Sequence, residues 1–411
     1  MRILLANHTS AWSGAEVSLM RVAEGLRANH ELAIACPDSG KLAQQVARAQ
    51  IERLSLPEVD ASLRLHPVGT PVGLGQLGAG GLALGRAARR FRADVIHANT
   101  PRAGIMAAVG SARGGPPFVV RAHEHIPPTP MGRAVRALLV ARAGGIAAVS
   151  DFTAARFNEG LPRPVATRVY NSIDHSRFAP ELVSPAPIRE ELGLAPEAHL
   201  IGQVAQITPW KRQDTSIRAL AELRAGGVDA HLLLVGQVAF GGKRVRLDNH
   251  GYLHSLERLV DELSVRDAVH FLGQRDDLPP IMRALDLSLL PSSEEPFGLV
   301  TVESLALGTP PLVSAIGAGP ELVEDGVTGR VLTPGRPELW ARAARELLAD
   351  PPRLALMGER GPHAAERFRD EVHAEEMLAI YERAGAHSID ARSATPVTAA
   401  DEERVRTPWP S

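Results

Sequence analysis

Short apolar runs alternate with helical patterns along most of the chain. Arg2–Ala6 reads as a first strand. Ala15–Ala28 reads as a helix with Val17, Met20, Val22, Ala23 and Leu26 toward one side, and Glu31–Ala35 as the next strand. Val95–Ala98, Phe118–Ala122 and Ile146–Ser150 continue the series. In the second half Leu200–Ala205, His231–Val235, Val269–Leu272, Leu287–Leu290 and Pro311–Ser314 read as strands, and Tyr252–Leu263 as a helix. Strands alternating with helices predict α/β units with parallel sheets. No repeat of solenoid period is visible. Pro180, Pro185 and Pro187 interrupt any regular element and mark a domain boundary, giving expected domains 1–180 and 181–363. A last helix is expected over 364–384, carrying Phe368, Val372, Met377, Leu378 and Tyr381. The segment 385–411 has no apolar period and predicts a disordered tail.

Composition sharpens this picture. At 411 residues the chain can bury two cores. Its single cysteine, Cys36, excludes an intramolecular disulfide and points to a reducing, cytoplasmic setting. The first apolar run is too short for a signal peptide. The uncharged run Leu65–Gly85 is rich in glycine and proline, so it reads as a mobile loop rather than a membrane helix. Charge divides unevenly: residues 1–180 carry +9 and residues 181–411 carry −11. Different partners for the two halves follow. Arg86, Arg89, Arg90 and Arg92 fall on one expected helix, and Arg133, Arg136 and Arg142 on another. These are either solvated faces or a peripheral contact with an anionic membrane at its inner face. No nucleic-acid-binding motif is present.

The densest chemistry lies at Glu295-Pro-Phe-Gly-Leu-Val-Thr-Val-Glu303, where the strand Leu285–Leu290 gives way to a helix expected from Phe297 to Leu307, stopping at Gly308. The first-turn amides of Gly298, Leu299 and Val300 have no partner within that helix and suit a diphosphate. Glu303 sits about two turns in, placed to grip a pair of hydroxyls. Glu295, in the preceding loop, is free to meet a second polyhydroxyl group. One segment can thus hold both ends of a nucleotide-sugar. A helix cap followed by a solvated glutamate is the plainer alternative.

Two further loops add candidates. Ser13-Gly14-Ala15-Glu16 follows the first strand and opens a helix, and Gly14 allows close approach of a phosphate. Ala205-Gln206-Ile207-Thr208-Pro209-Trp210-Lys211-Arg212 follows the first strand of the second domain. A surface lysine there would oppose the helix dipole, which favours a role for Lys211 toward an anion. His97, His123 and His125 lie at strand ends, the last two flanking Glu124. As an i, i+2 pair they would share one strand face, so zinc ligation competes with histidines satisfied by backbone.

Together these segments resemble the family-four retaining glycosyltransferases, glycosyl transferases group 1. The resemblance runs from about Arg2 to Arg383 and is strongest from Ile201 to Leu332. It implies the GT-B architecture: two Rossmann-like α/β domains facing a cleft, the first on the acceptor side, the second holding the nucleotide-sugar, and a C-terminal helix crossing back to the first. The resemblance assigns Lys211, Glu295 and His123 to the reaction centre. It assigns Gly14, Gln206, Arg212, Gly236, Gln274, Arg275, Phe297, Gly298, Leu299, Val300 and Glu303 to the donor, and Asn99, Arg102 and Arg121 to the acceptor side. Gln206 stands where the family carries an arginine, and Ser13 where it carries a glycine. The loop Ser314–Glu321 resembles the family's Gly-Gly-x-x-Glu stretch and is expected at the donor sugar. Asn171-Ser172-Ile173-Asp174 and Asp325–Arg330 read as structural turns. The implied function is transfer of a hexosyl group from a nucleotide-diphosphate sugar, UDP-sugar favoured, to a hydroxyl acceptor, without cofactor or essential metal. The product would be a polysaccharide, glycolipid or secondary metabolite. A nucleotide-sugar epimerase and a non-catalytic nucleotide-sugar-binding protein are the alternatives.

Overall fold

The computed structural model describes residues 1–61, 69–112, 114–238 and 248–393, the last seven by backbone alone. In the first half β1 (Arg2–Ala6), α1 (Gly14–Leu26), β2 (Glu31–Cys36), α2 (Gly40–Arg48), β3 (Glu52–Ser55), α3 (Gly69–Phe91), β4 (Val95–Ala98), α4 (Pro101–Gly110), β5 (Phe118–Ala122), α5 (Pro130–Arg142), β6 (Gly145–Ala148), α6 (Asp151–Asn158) and β7 (Ala166–Arg168) alternate. They form a parallel sheet of order β3-β2-β1-β4-β5-β6-β7. In the second half α7 (Ile188–Glu191), β8 (His199–Val204), α8 (Gln213–Ala225), β9 (Ala230–Val235), α9 (Asn249–Glu262), β10 (Val269–Gly273), α10 (Leu278–Ala284), β11 (Leu287–Leu290), α11 (Leu299–Ala306), β12 (Pro311–Ser314), α12 (Gly319–Leu322) and β13 (Arg330–Leu332) follow. Their strands form a second parallel sheet, β10-β9-β8-β11-β12-β13. The chain then runs through α13 (Pro337–Leu348), α14 (Pro351–Ala365) and α15 (Asp370–Ser393).

Strand order reverses beside β1 and β4 in one sheet and beside β8 and β11 in the other. Such switch points open crevices beyond the carboxyl ends of the strands, where open α/β sheets bind ligands. The Gly14 loop and Asn99 follow β1 and β4. The Lys211 turn and Glu295 follow β8 and β11. The topology alone therefore brings the two loops of each pair together.

Both sheets are buried on both faces, as parallel sheets require. Along β1, Leu4 and Ala6 face the core beneath α3 and α4, while Ile3 and Leu5 face α1 and α15. Helix α15 seats Ala374, Met377, Ile380, Tyr381 and Ala384 in that second core. Arg21 of α1 anchors its start through an ion pair to Asp370 and a second to Asp174 at 3.1 Å. The turn at Asn171–Asp174 joins this assembly: Asn171 Oδ1 accepts from Ser18 Oγ at 2.7 Å, and Ile173 N donates to Phe368 O at 3.1 Å.

Three expectations are corrected. Residues 69–85, read as a mobile loop, are the first three-quarters of α3. Its glycines are packing positions: a Cβ at Gly81 would lie 2.6 Å from Val109, and one at Gly85 2.8 Å from the Gly110 carbonyl. They let α3 and α4 approach backbone to backbone. The rest of that run, 65–68, lies outside the described residues. The final helix starts at Asp370 rather than Ala364, because α14 carries Ala364 and Ala365, and a 3-10 turn at Glu366–Phe368 ends before extended Arg369. It also continues to Ser393, so 385–393 are helical rather than part of a tail. Residues 394–411 are outside the description. Among the described residues no helix is long and apolar enough to cross a membrane.

Candidate functional site

The second-domain half is built around one ion pair. Lys211 ends a 3-10 turn, Pro209–Lys211, and Arg212 follows in the left-handed region at φ 55°. Buried Gln203 clamps the turn, donating to the Lys211 carbonyl at 2.7 Å while accepting from Ser216 Oγ at 2.7 Å. The Lys211 ammonium lies 4.1 Å from the centre of the Trp210 ring and donates to Glu295 Oε2 at 2.5 Å. Ser292 Oγ donates to the same oxygen at 3.0 Å. The two loops are also stitched by backbone, Ser293 N to Trp210 O at 2.8 Å. Glu295 is nearly buried, and its carbonyl accepts from Ala318 N at 2.9 Å. Gly317 (φ +96°) passes so close that a Cβ there would sit 2.3 Å from that carbonyl. This spot requires glycine for space as well as for dihedral.

Helix α11 begins immediately beyond. Its N-cap is Gly298 at φ +91°, which has no side chain to cap the first amides. The amides of Leu299 and Val300 thus have no partner within the helix, and they sit at its positive end. A Cβ on Gly14 would meet Leu299 Cδ1 at 3.4 Å, so the first-domain glycine loop stands directly across from this helix start. That loop is rigid: Ser13 Oγ and N both bond Glu16 Oε2, at 2.7 and 2.9 Å, in a capping box. Glu303, one turn further on, is partly exposed, yet burial pushes its carboxyl up to about 7 against the lowering charge of Arg177.

Several assigned side chains are occupied elsewhere. Phe297 is buried between Tyr170 and Phe368, each 5.9 Å away between ring centres, so it anchors the loop instead of facing a ligand. Arg212 is held bidentate by Asp214 at 3.1 Å. The Arg275 side chain is locked between Asp277 and Glu191, at 2.9 and 2.7 Å, which leaves the expected reading of a base edge to the backbone around Gln274 and Arg275. Gln274 accepts from Gln237 at 2.5 Å. Gly236 donates to the Gly273 carbonyl at 2.8 Å, and a Cβ there would come within 2.0 Å of Ala205 O. This close approach bridges the β8 loop and the end of β10. Gln206 is partly exposed, and its carbonyl accepts from the Gln213 side chain at 2.9 Å. A depression of about 490 Å³ between Pro180, Arg283, Leu354 and Glu359 shares no residue with this site.

The first-domain half differs from expectation. Arg121 does not line a cleft. It alternates with Val120 and Ala122 along β5 and so projects to the α15 side, fully buried, donating to Asn171 Oδ1 at 2.8 Å. Burial without a paired carboxylate lowers its guanidinium to about 10. Asn99 is also fully buried and works as a junction, described below. Arg102 donates to the Ala61 carbonyl at 2.6 Å, with Glu124 3.9 Å away. His123 and His125 do not share a strand face, because β5 ends at Ala122. His123 Nε2 turns inward to Asn99 at 3.1 Å, while His125 Nδ1 crosses to Glu294 at 2.9 Å. Among the described residues no group of three His, Cys, Asp or Glu side chains is arranged for a metal ion.

Three residues that sequence reasoning missed complete the cleft. Asn7, directly after β1, donates to Glu16 at 3.1 Å and to Thr9 O at 2.9 Å. Ser150, the N-cap of α6, donates to the Pro296 carbonyl at 2.5 Å. Tyr170 donates to Glu321 at 3.3 Å. Glu321 itself leaves the expected sugar site. Its two oxygens accept from the amides of Asp151 and Phe152, each at 2.8 Å, capping α6 of the other domain. A polar residue immediately after a buried strand was the available signal for Asn7. The partners of Tyr170 and Glu321 left none.

Residues 12–177 match the family described as Glycosyltransferase Family 4, and residues 186–364 match Glycosyl transferases group 1. A D-inositol 3-phosphate glycosyltransferase of Segniliparus rotundus is 35% identical over 214 residues, covering 52% of this chain but only 45% of that protein. Its counterpart in Actinosynnema mirum is 33% identical over 313 residues, 71% of this chain and 72% of the other. The crystal structure of Anabaena HepE in complex with UDP-glucose superposes with a TM-score of 0.78 at 25% identity, covering 93% of this chain and 99% of that one. The chain therefore belongs to the group 1 glycosyltransferases of family four, with the GT-B fold.

Proposed function

We propose that this protein transfers a hexosyl group from a UDP-sugar to a hydroxyl acceptor with retention at the anomeric carbon. The observation that carries the reading is the convergence of Lys211, Glu295, the uncapped start of α11 and the Gly14 loop on one cleft. Glu295 neutralises Lys211 within the cleft. When a donor enters, the ammonium and the Leu299 and Val300 amides face the diphosphate, and Glu295 is released to accept from sugar hydroxyls. As the anomeric C–O bond breaks, the negative charge left on the diphosphate falls where these donors already point. The acceptor oxygen bonds the anomeric carbon from the same face, and its proton passes to the departing phosphate oxygen. Closure of the cleft keeps water from the donor. Chemistry of this kind asks for no cofactor, and we assign none.

The HepE complex with UDP-glucose supports a uridine donor, and the inositol phosphate specificity in the relatives' names supports a cyclitol-type acceptor. A peripheral contact with anionic lipid belongs to the same reading, supported by the outer face of α3. Lys211→Ala should lower kcat by about 10²–10³ in a purified transfer assay, the size expected for losing one preorganised donor, and Glu295→Ala, which removes an acceptor, should likewise abolish most turnover. UDP-glucose should raise the melting temperature of the wild-type protein. Near-wild-type turnover in both variants would refute the assignment.

A further inference from the structure

Behind His123 runs a chain of hydrogen bonds whose direction can be read atom by atom. Asn99 Nδ2 lies 3.1 Å from the Ala15 carbonyl and 3.1 Å from Asn7 Oδ1. A carbonyl only accepts, so this edge of the Asn99 amide donates. Asn7 is fixed the same way, since its Nδ2 faces the Thr9 carbonyl and the Glu16 carboxylate. Asn99 Oδ1 is therefore an acceptor, and two imidazoles face it: His123 Nε2 at 3.1 Å and His97 Nε2 at 3.4 Å. An amide oxygen cannot donate, so both Nε2 atoms carry the proton. The other nitrogen of His97 lies 2.6 Å from the hydroxyl of Tyr381, on α15. His97, Asn99 and Tyr381 are all fully buried.

Burial, reinforced by the charge of Arg121, lowers His97 to about 3 and His123 well below its usual range, so both rings are neutral. A neutral ring protonated on Nε2 has a bare Nδ1. In His97 that lone pair accepts the Tyr381 hydroxyl. In His123 it has no partner among the described residues, and the ring is the partly exposed end of an otherwise buried chain.

We propose that Tyr381 is a positioning residue. Through His97 and Asn99 it holds His123 in the Nε2–H tautomer, so that His123 offers Nδ1 as an acceptor to a hydroxyl of the bound sugar. The returning C-terminal helix thereby sets the polarity of a group in the first-domain wall of the cleft. Without the Tyr381 hydroxyl, His97 can carry its proton on Nδ1. Its bare Nε2 then opposes the Asn99 oxygen, the Asn99 side chain, still tied to the Ala15 carbonyl and Asn7, shifts from both rings, and the bond that fixes the His123 tautomer weakens. The chemical role rests on the sugar-transfer reading of the cleft, whereas the tautomer does not.

The test has two arms. Nitrogen-15 NMR of histidine-labelled protein, with His123 assigned by its loss in His123→Ala, should show a pyrrole-type Nε2 and a pyridine-type Nδ1 in the free wild-type protein. Tyr381→Phe should convert this to a mixture of tautomers. A protonated Nδ1 in the wild-type protein overturns the proposal, and this measurement needs no variant at position 381 and no turnover. In the second arm, Tyr381→Phe should lower kcat about three- to tenfold, the scale of one hydrogen bond, with little change in donor KM. In a His123→Ala background it should lower kcat no further. An equal loss in both backgrounds would show that Tyr381 serves stability alone. A fixed tautomer in a protein that transfers no sugar would leave the network standing and sink the function instead.

Discussion

At the scale of single residues, Glu303 and Arg121 show how environment decides what a charge can do. Both were read from sequence as ligand-facing groups. Glu303 keeps a carboxyl in the cleft wall whose proton is lost only near neutrality, at about 7. A folded-state value above the unfolded 4.5 contributes stability that is complete below about pH 4.5 and lost as pH rises through 7. Discounted for the solvent that reaches the group, that loss is about 1–3 kcal/mol. Glu303→Gln should therefore flatten the fall in melting temperature of the free protein between pH 5 and 8; an unchanged slope would contradict the assignment. In the proposed role the ionised form accepts ribose hydroxyls, so donor affinity should rise up to roughly tenfold from pH 6 to pH 8. That rise should be absent in the glutamine variant, as titration calorimetry would show. Glu303 was legible because its partner motif is contiguous in sequence. Arg121 was not, because a one-residue step along a strand decides which face a side chain joins.

Among the elements, α3 carries the clearest lesson. Glycine richness argued against a helix, since each interior glycine costs about 1 kcal/mol relative to alanine. Packing overrides that cost: Gly81 and Gly85, one helical turn apart, admit α4 at backbone contact. The opposite face of α3 presents Val72, Ala79 and Leu82, then Arg86, Arg89 and Arg90, all exposed. An apolar stripe running into a cationic one suits the interface of an anionic bilayer. Wild-type protein should sediment with phosphatidylglycerol-containing vesicles at low salt, less so at high salt, and Leu82→Glu combined with Arg86→Glu should abolish the association. Equal binding to neutral vesicles, or none at all, would remove the membrane contact from the proposed function. The spacing of these residues was in the sequence all along, but it became a face only once the glycines were known to be helical.

Taken as a whole, the molecule is clasped across its cleft. Glu321 caps α6, Ser150 holds the Pro296 carbonyl, and His125 meets Glu294, three contacts between the domains within one region. The aromatic set Tyr170, Phe297 and Phe368 packs beneath them. Because both Glu321 oxygens accept from backbone amides at a helix start, its removal costs two charge-assisted bonds. Glu321→Ala should open the cleft, seen as a larger radius of gyration by small-angle scattering, and raise the donor KM several-fold. An unchanged radius would mean that the apolar packing alone keeps the domains closed. What the linear chain determined by itself was the alternation of elements, the parallel sheets and the strand-to-helix junction that carries Glu295 to Glu303. These depend on local periodicity and on motifs a few residues long, where neighbours in sequence are neighbours in space. Only the tertiary structure decided which glycines are packing surfaces, which arginines are buried, and that Asn99 joins the Gly14 loop, His123 and α15. Those facts depend on groups separated by tens to hundreds of residues, and the burial and polarity that fix their protons exist only after the sheets and the last helix have come together.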